Sequence, residues 1–246
     1  MAKPKITRDG YHAQYANVTG PYKVNCPVSM REWWVLPGVL DPTKSYASKI
    51  FARVAYKCPH YPGKVLVVGS GCGIDAVIAA EKNKLVHAVD INPRAVVNTQ
   101  INAEMHRAKN MKIYWSDCFS EVTDTDFDFI YFNHPFVFPE KPEGKCETVR
   151  SGIDWAICDK DYRLLARFMR QAPKHLVRPG GGGLGGGIIV STSTVNRGID
   201  VFHQYVQDYG YHEAMVLEKT EKDGEEFFVF GTSPTWRKKS GRRKSR

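Results

Sequence analysis

The run Gly69-Ser70-Gly71-Cys72-Gly73 places a glycine at every second position. That pattern lets a backbone turn tightly and lets a ligand come close to it. An apolar stretch, 65–68 (VLVV), leads into the run, and Ile74 stands where a dinucleotide fingerprint of the G-x-G-x-x-G type would need its third glycine. Twenty-one residues after Gly69, the next apolar stretch ends in Asp90, where a carboxylate can accept hydrogen bonds from both hydroxyls of a ribose. Asp117 follows the stretch after that and can accept from the amino group of an adenine. A fourth apolar stretch ends in Asn133-His134-Pro135-Phe136. Glycine turn, ribose acid and adenine acid, met in that order, describe a site for a nucleoside.

The elements around these residues alternate. Asp41-Pro42 reads as an N-cap with proline at the first helical position and opens a helix to about Tyr56. Strands are expected at 64–68, 85–89, 111–115, 127–132 and 188–193. Helices are expected over 74–84, from Asn92-Pro93 to about Arg107, over 159–176 and over 199–209. In the third of these, Leu164, Leu165, Phe168, Met169, Ala172 and Leu176 recur at the spacing of one helix face. Two last strands, 214–220 and 225–230, are joined by the turn residues Lys222-Asp223-Gly224. Strands separated by helices imply an α/β fold: a mostly parallel sheet with helices on both faces, closed by an antiparallel hairpin. In such sheets ligands bind outside the carboxyl ends of the strands, which is where the glycine run and the acids fall.

The segments 65–73 (VLVVGSGCG), 86–92 (VHAVDIN) and 116–118 (SDC) resemble class I S-adenosylmethionine-dependent methyltransferases, and the resemblance spans roughly 35–233. It implies a Rossmann-like seven-stranded sheet with S-adenosylmethionine over the glycine run. The cofactor would be held by Gly69, Ser70, Gly71, Gly73, Asp90, Ile91, Asn92, Asp117, Cys118 and Asn133. The tetrad 133–136 resembles the [N/D/S]-P-P-[Y/F/W] motif of enzymes that methylate exocyclic or side-chain amide nitrogens, with His134 in place of the first proline. Ribosomal RNA adenine dimethylases also have a non-proline there. By that resemblance Asn133, His134, Pro135 and Phe136 are the catalytic residues. An amide-like nitrogen is a poor nucleophile because its lone pair is delocalised, so it needs acceptors that hold its N–H bonds and aim it. The Asn133 side chain and the His134 carbonyl would accept, Pro135 would stiffen the turn, and Phe136 would stack on a planar substrate. The His134 imidazole is either a general base or turned away with only its carbonyl used, and the second is the expectation. Residues 35–42 (VLPGVLDP) resemble the segment before the cofactor strand in small-domain methyltransferases, among them ribosomal RNA guanine-N2 and release-factor glutamine enzymes.

Composition bounds the partners. The formal charge of +9 falls to +2 without the seven basic residues of 237–246 (RKKSGRRKSR), so the basic character is a tail on a near-neutral body. Such a tail neutralises phosphates or serves as a nuclear import signal. With Phe136, it points to a nucleic acid substrate, RNA foremost; a protein side-chain amide or a planar metabolite is the alternative, and a cofactor-fold binding protein without turnover is a third reading. No apolar run approaches a membrane span, and the start has no secretory signal. Six cysteines without a C-x-x-C pair read as reduced thiols in a cytoplasmic protein, and Cys58-Pro-His60 lacks a second ligand pair, so no metal is expected. Residues 1–40, rich in aromatics and prolines, read as an irregular extension, some of whose rings could line the substrate site; 41–233 are the cofactor domain and 234–246 a disordered tail. Gly180–Gly187, seven glycines in eight residues, reads as a flexible loop.

Overall fold

The four residues Val65, Leu66, Val67 and Val68 are all buried, as a strand covered on both faces must be, and they lie in the interior of the sheet. The computed structural model describes residues 8–57, 63–137, 152–179 and 185–236. In chain order these form α1 (Arg8–Tyr15), β1 (Tyr22–Cys26), β2 (Arg31–Val35), α2 (Tyr46–Lys57), β3 (Lys64–Val68), α3 (Ile74–Ala80), β4 (Leu85–Asp90), α4 (Pro93–Met105), β5 (Met111–Trp115), β6 (Phe129–Phe132), α5 (Gly152–Ile157), α6 (Arg163–Gln171), β7 (Gly187–Ser193), α7 (Gly198–Asp208), β8 (Met215–Lys222) and β9 (Glu225–Thr232). The main sheet has seven strands in the order β5-β4-β3-β6-β7-β9-β8. Strands β3 to β7 run parallel, and β9 joins β7 antiparallel with β8 beyond it. The order reverses at β3, and the crevice beside its carboxyl end is where such sheets place a ligand. Among the described residues no helix is long and apolar enough to cross a membrane.

The caps read from sequence are present. Asp41 Oδ1 accepts from the Thr43 amide, although the turn it opens is a short 3-10 helix, Pro42–Lys44, with α2 following. Asn92 Oδ1 accepts from the Arg94 amide at the start of α4. The β8–β9 turn has positive φ at Asp223 (56°) and Gly224 (82°), the combination that suits the twist of two antiparallel strands.

Two expectations need correction. The described part of residues 1–40 is ordered rather than irregular: it holds α1 and a two-stranded hairpin, β1–β2. Pro21 and Pro27 bound β1 rather than interrupt it, and between them exposure alternates along the strand. The helix expected over 159–176 is interrupted, because Asp161 and Tyr162 take left-handed backbone (φ 56° and 54°). Asp159 restarts it by accepting from the Leu164 and Leu165 amides, and the predicted face at Leu165, Phe168, Met169 and Ala172 is buried. Cys58, His60, Cys146, residues 180–184 of the glycine run and the tail 237–246 lie outside the described residues. Within the remainder of that run, a Cβ on Gly186 would meet the Phe127 carbonyl oxygen at 2.7 Å, so close packing rather than freedom explains that glycine.

Candidate active site at the carboxyl edge of the sheet

The carboxyl ends of β3, β4, β5 and β6 border one cavity of about 350 Å³. Its lining takes Gly69, Ser70 and Gly71 from the turn after β3, Asp90 and Ile91 from β4, Asp117 and Cys118 after β5, and Asn133 and Pro135 after β6. Gly73, Asn92, His134 and Phe136 are not in that lining, so each needs a separate account.

The glycine turn is built for two different contacts. Gly71 has φ +57°, and a Cβ there would meet nothing within 4 Å, so its backbone faces open space. Gly73 has φ +91°, and a Cβ would press on Thr99 at 3.0 Å. Its absence lets the turn pack on α4; it serves the ligand only through the shape of the turn. Thr99 also bonds the turn directly, through the Ser70 hydroxyl (2.9 Å) and the Gly71 carbonyl (3.2 Å). Asn102 donates to the Cys72 carbonyl at 2.7 Å.

Asp90 is 8% exposed and accepts from the Gly71 amide (2.9 Å) and the Asn92 amide (2.8 Å), one on each carboxylate oxygen. Burial pushes its carboxyl up to about 6, against the pull of the backbone donors of Asn92, Gly71 and Ile91. Each oxygen keeps lone-pair capacity for a ligand hydroxyl. Asn92 caps α4 and donates to the Gly38 carbonyl, a structural role. Asp117, expected to meet an adenine, is gripped by the Arg167 guanidinium through both oxygens, Nη1 lying 2.9 Å from Oδ2. Any adenine would therefore meet a carboxylate already fixed in orientation by Arg167. Burial pushes the Cys118 and Cys72 thiols up to about 12, so both are apolar wall rather than nucleophile.

The tetrad divides. The Asn133 amide is fixed from two remote elements: its nitrogen donates to Ser48 Oγ of α2 (3.2 Å), and its oxygen accepts from Ser191 Oγ of β7 (2.6 Å). The His134 ring turns into the core, where Nδ1 donates to the Ser191 carbonyl at 2.5 Å and buried Nε2 has no partner. Burial lowers its pKa to about 4, so the ring is neutral, and it borders a side cavity of about 20 Å³ rather than the main one. Phe136 is 6% exposed and packs against Phe227, with ring centroids 6.0 Å apart. It too borders the side cavity rather than the main one, whereas Trp155 of α5 is an aromatic that lines the main one. None of His12, Tyr15, Tyr22, Trp33 and Trp34 lines the main cavity either. Tyr15 accepts from the Asp41 amide (2.7 Å) and Tyr22 donates to its carboxylate (3.1 Å), so these rings anchor the cavity's rim at Leu40 and Pro42.

The sequence pattern does not single out Ser48, Asp75, Arg167 or Ser191. The one available signal was the polar run 191–193 (STS) in an otherwise apolar strand, all of which is buried. Asp75, in the first turn of α3, lines the cavity with 7% exposure, and burial alone pushes its carboxyl up to about 7. In the unfolded chain that group keeps its ordinary lower pKa, so the folded state binds the extra proton between about pH 4 and 7. The stability this gives is present below that window and lost as pH rises through it. Asp75→Asn, which carries no charge, should therefore raise the melting temperature of the ligand-free protein at pH 8 by several degrees, at about 2–4 °C per kcal/mol. At pH 4 the two proteins should melt together. Scanning calorimetry checks both values, and a variant that melts lower at pH 8 would contradict the assignment.

The lining fits S-adenosylmethionine on its own evidence. The turn at Gly71 has the space a Cβ would fill, and Asp90 has acceptor capacity for ribose hydroxyls. Comparison with known proteins agrees. Residues 43–148 match the family model of the methyltransferase small domain. The release factor glutamine methyltransferase of Escherichia coli (strain K12) is 32% identical over 131 residues, 49% of this chain and 46% of that protein. The chain thus spans about half the length of the curated relatives it matches. Among solved structures, the T. thermophilus 16S rRNA methyltransferase RsmC, in complex with AdoMet and guanosine, aligns with a TM-score of 0.61 at 18% identity, covering 88% of this chain and 51% of that one. The E. cuniculi Mtq2–Trm112 complex, responsible for methylation of a translation termination factor, aligns at 0.56 and 16% identity, covering 80% and 99%. At such identities the structural likeness shows the fold.

Proposed function

We propose that this protein is an S-adenosylmethionine-dependent methyltransferase that methylates a planar NH2 nitrogen of a nucleic acid base, RNA foremost, a reading supported by the match of residues 43–148 to the methyltransferase small domain and by the seven-stranded sheet. The observation that carries this reading is Asn133, whose amide is pinned by Ser48 and Ser191 at the cavity's edge. When bound, S-adenosylmethionine supplies an electrophilic methyl group. Asn133 Oδ1 has one lone pair on the Ser191 hydroxyl and one left to accept an N–H of the substrate. The His134 carbonyl would accept the second N–H. Holding both bonds aims the nitrogen lone pair, and most of the acceleration comes from that orientation. The proton that the substrate nitrogen sheds on gaining the methyl group passes to solvent, since the neutral, core-facing His134 ring takes no proton in this scheme.

Phe136 lies against Phe227 in this arrangement, so stacking on a base falls to Trp155 unless Phe136 is uncovered. A base within a duplex would have to be single-stranded or flipped to reach the cavity. The tail 237–246, with seven basic residues, supplies sequence-independent attraction to phosphates. A protein side-chain amide is the second reading, favoured by the 32% identity to a release factor glutamine methyltransferase. Both acceptors present the same planar nitrogen.

Labelled methyl transfer from S-adenosylmethionine onto total RNA and onto a protein pool separates them, run with the full chain and with one lacking 237–246. The expected result is label in RNA, with KM raised about 10-fold and its salt dependence flattened by the truncation. Label confined to protein, indifferent to the tail, would move the assignment to the amide.

A further inference from the structure

The cavity lining holds four carboxylates, and three of them have partners: Asp90 accepts two backbone amides, Asp117 is paired with Arg167, and Asp154 meets His12 Nε2 at 2.8 Å. Asp75 differs. It is 93% removed from solvent, its Oδ1 has no hydrogen-bond partner, and no ion pair among the described residues reaches it. A carboxylate in the first turn of a helix gains from the helix dipole, but an exposed one gains that too, without the desolvation that burial brings. A purely structural acid this deep would be expected to be hydrogen-bonded. Asp75 instead borders a space large enough for a ligand. It also stands on a different element from Asp117: Asp75 is in the first turn of α3, directly after the glycine turn, while Asp117 follows β5.

We propose that Asp75 is the anchor for the α-ammonium group of the cofactor's amino-acid end, an inference that rests on the cofactor reading above. With the ribose hydroxyls assigned to Asp90 and the adenine edge to Asp117, the α-ammonium is the one cationic N–H donor of S-adenosylmethionine left without an acceptor. It is also the group that best satisfies a buried, unpaired carboxylate, since a charge-assisted hydrogen bond neutralises both members. Asp75 is thus a specificity-determining residue: it separates the full cofactor and its demethylated product from adenosine derivatives that lack the amine. The unfavourable burial of Asp75 in the ligand-free protein is relieved on binding.

The test is calorimetric titration of the full chain with S-adenosylhomocysteine and with its deamino analogue, in which hydrogen replaces the α-ammonium. The wild type should bind S-adenosylhomocysteine at least about 10-fold more tightly, and Asp75→Asn should lose about that factor for S-adenosylhomocysteine alone, bringing the two ligands level. Equal affinities in the wild type would overturn the proposal without recourse to any variant. So would an Asp75→Asn protein that weakens both ligands in parallel, the signature of a merely structural role, or that weakens neither. A wild type that binds neither ligand would remove the cofactor reading and this inference with it, an outcome distinct from the others.

Discussion

Asp90→Ala is expected to weaken S-adenosylmethionine binding on the order of 100-fold or more, read by calorimetric titration of the purified protein. Two charge-assisted hydrogen bonds to ribose hydroxyls are lost, each contributing about 1.5–3 kcal/mol. A second loss adds to the first. Asp90 also ties the Gly71 and Asn92 amides, so the alanine leaves two backbone donors without partners beside the place where the ligand lies. Asp90→Asn separates the two effects, because it keeps an acceptor and the side-chain shape while removing the charge; it should fall between wild type and alanine. Unimpaired binding by Asp90→Ala would mean that the ribose is held elsewhere, and the row of acids along the sheet edge would lose its meaning.

The second large effect belongs to Asn133. Asn133→Ala should lower kcat for methyl transfer by on the order of 10²–10³, the range seen when one fixed polar group at a reacting centre is deleted. The cofactor's dissociation constant should change by less than about 3-fold, since the amide is aimed at the acceptor nitrogen. The split between kcat and cofactor affinity is the diagnostic. A parallel loss in both would make Asn133 part of the cofactor's cradle instead. Retained transfer would leave the Ser48–Asn133–Ser191 arrangement as packing, and the third reading, a fold kept without turnover, would then deserve the assays.

The sheet was legible because its signals are local. Four of the five parallel strands, β3 to β6, are short runs of four to six residues, each closed or followed by a residue with a mechanism: Gly69, Asp90, Asp117, Asn133. Caps at Asp41 and Asn92 are local as well. What could not be read was set by partners remote in sequence. Ser48 reaches Asn133 across 85 residues, Ser191 across 58, and Arg167 reaches Asp117 across 50. Nothing near any of these positions announces the pairing. Gly73 and Asn92 share their neighbourhood with cofactor contacts yet serve packing and capping, and spacing alone cannot distinguish the two uses. The aromatic N-terminal segment misled for a different reason. Its prolines mark strand ends, and a hairpin becomes visible only once there is a helix for it to lie on.

That helix is α4, and its buried face is polar. Asn98, Thr99 and Asn102 are each fully buried. Asn98 and Asn102 bracket the Trp34 and Leu36 backbone of β2 and the chain beyond it, while Thr99 and Asn102 hold Gly71 and Cys72 on the other side. One rank of side chains is therefore shared by two segments 35 to 38 residues apart in sequence, and neither can loosen without stranding a buried amide or hydroxyl. Occupancy of the glycine turn and order in the hairpin are in this way thermodynamically linked: whatever quiets the one slows hydrogen exchange in the other, and a lesion in β2 would be registered as lost affinity at a site it never touches.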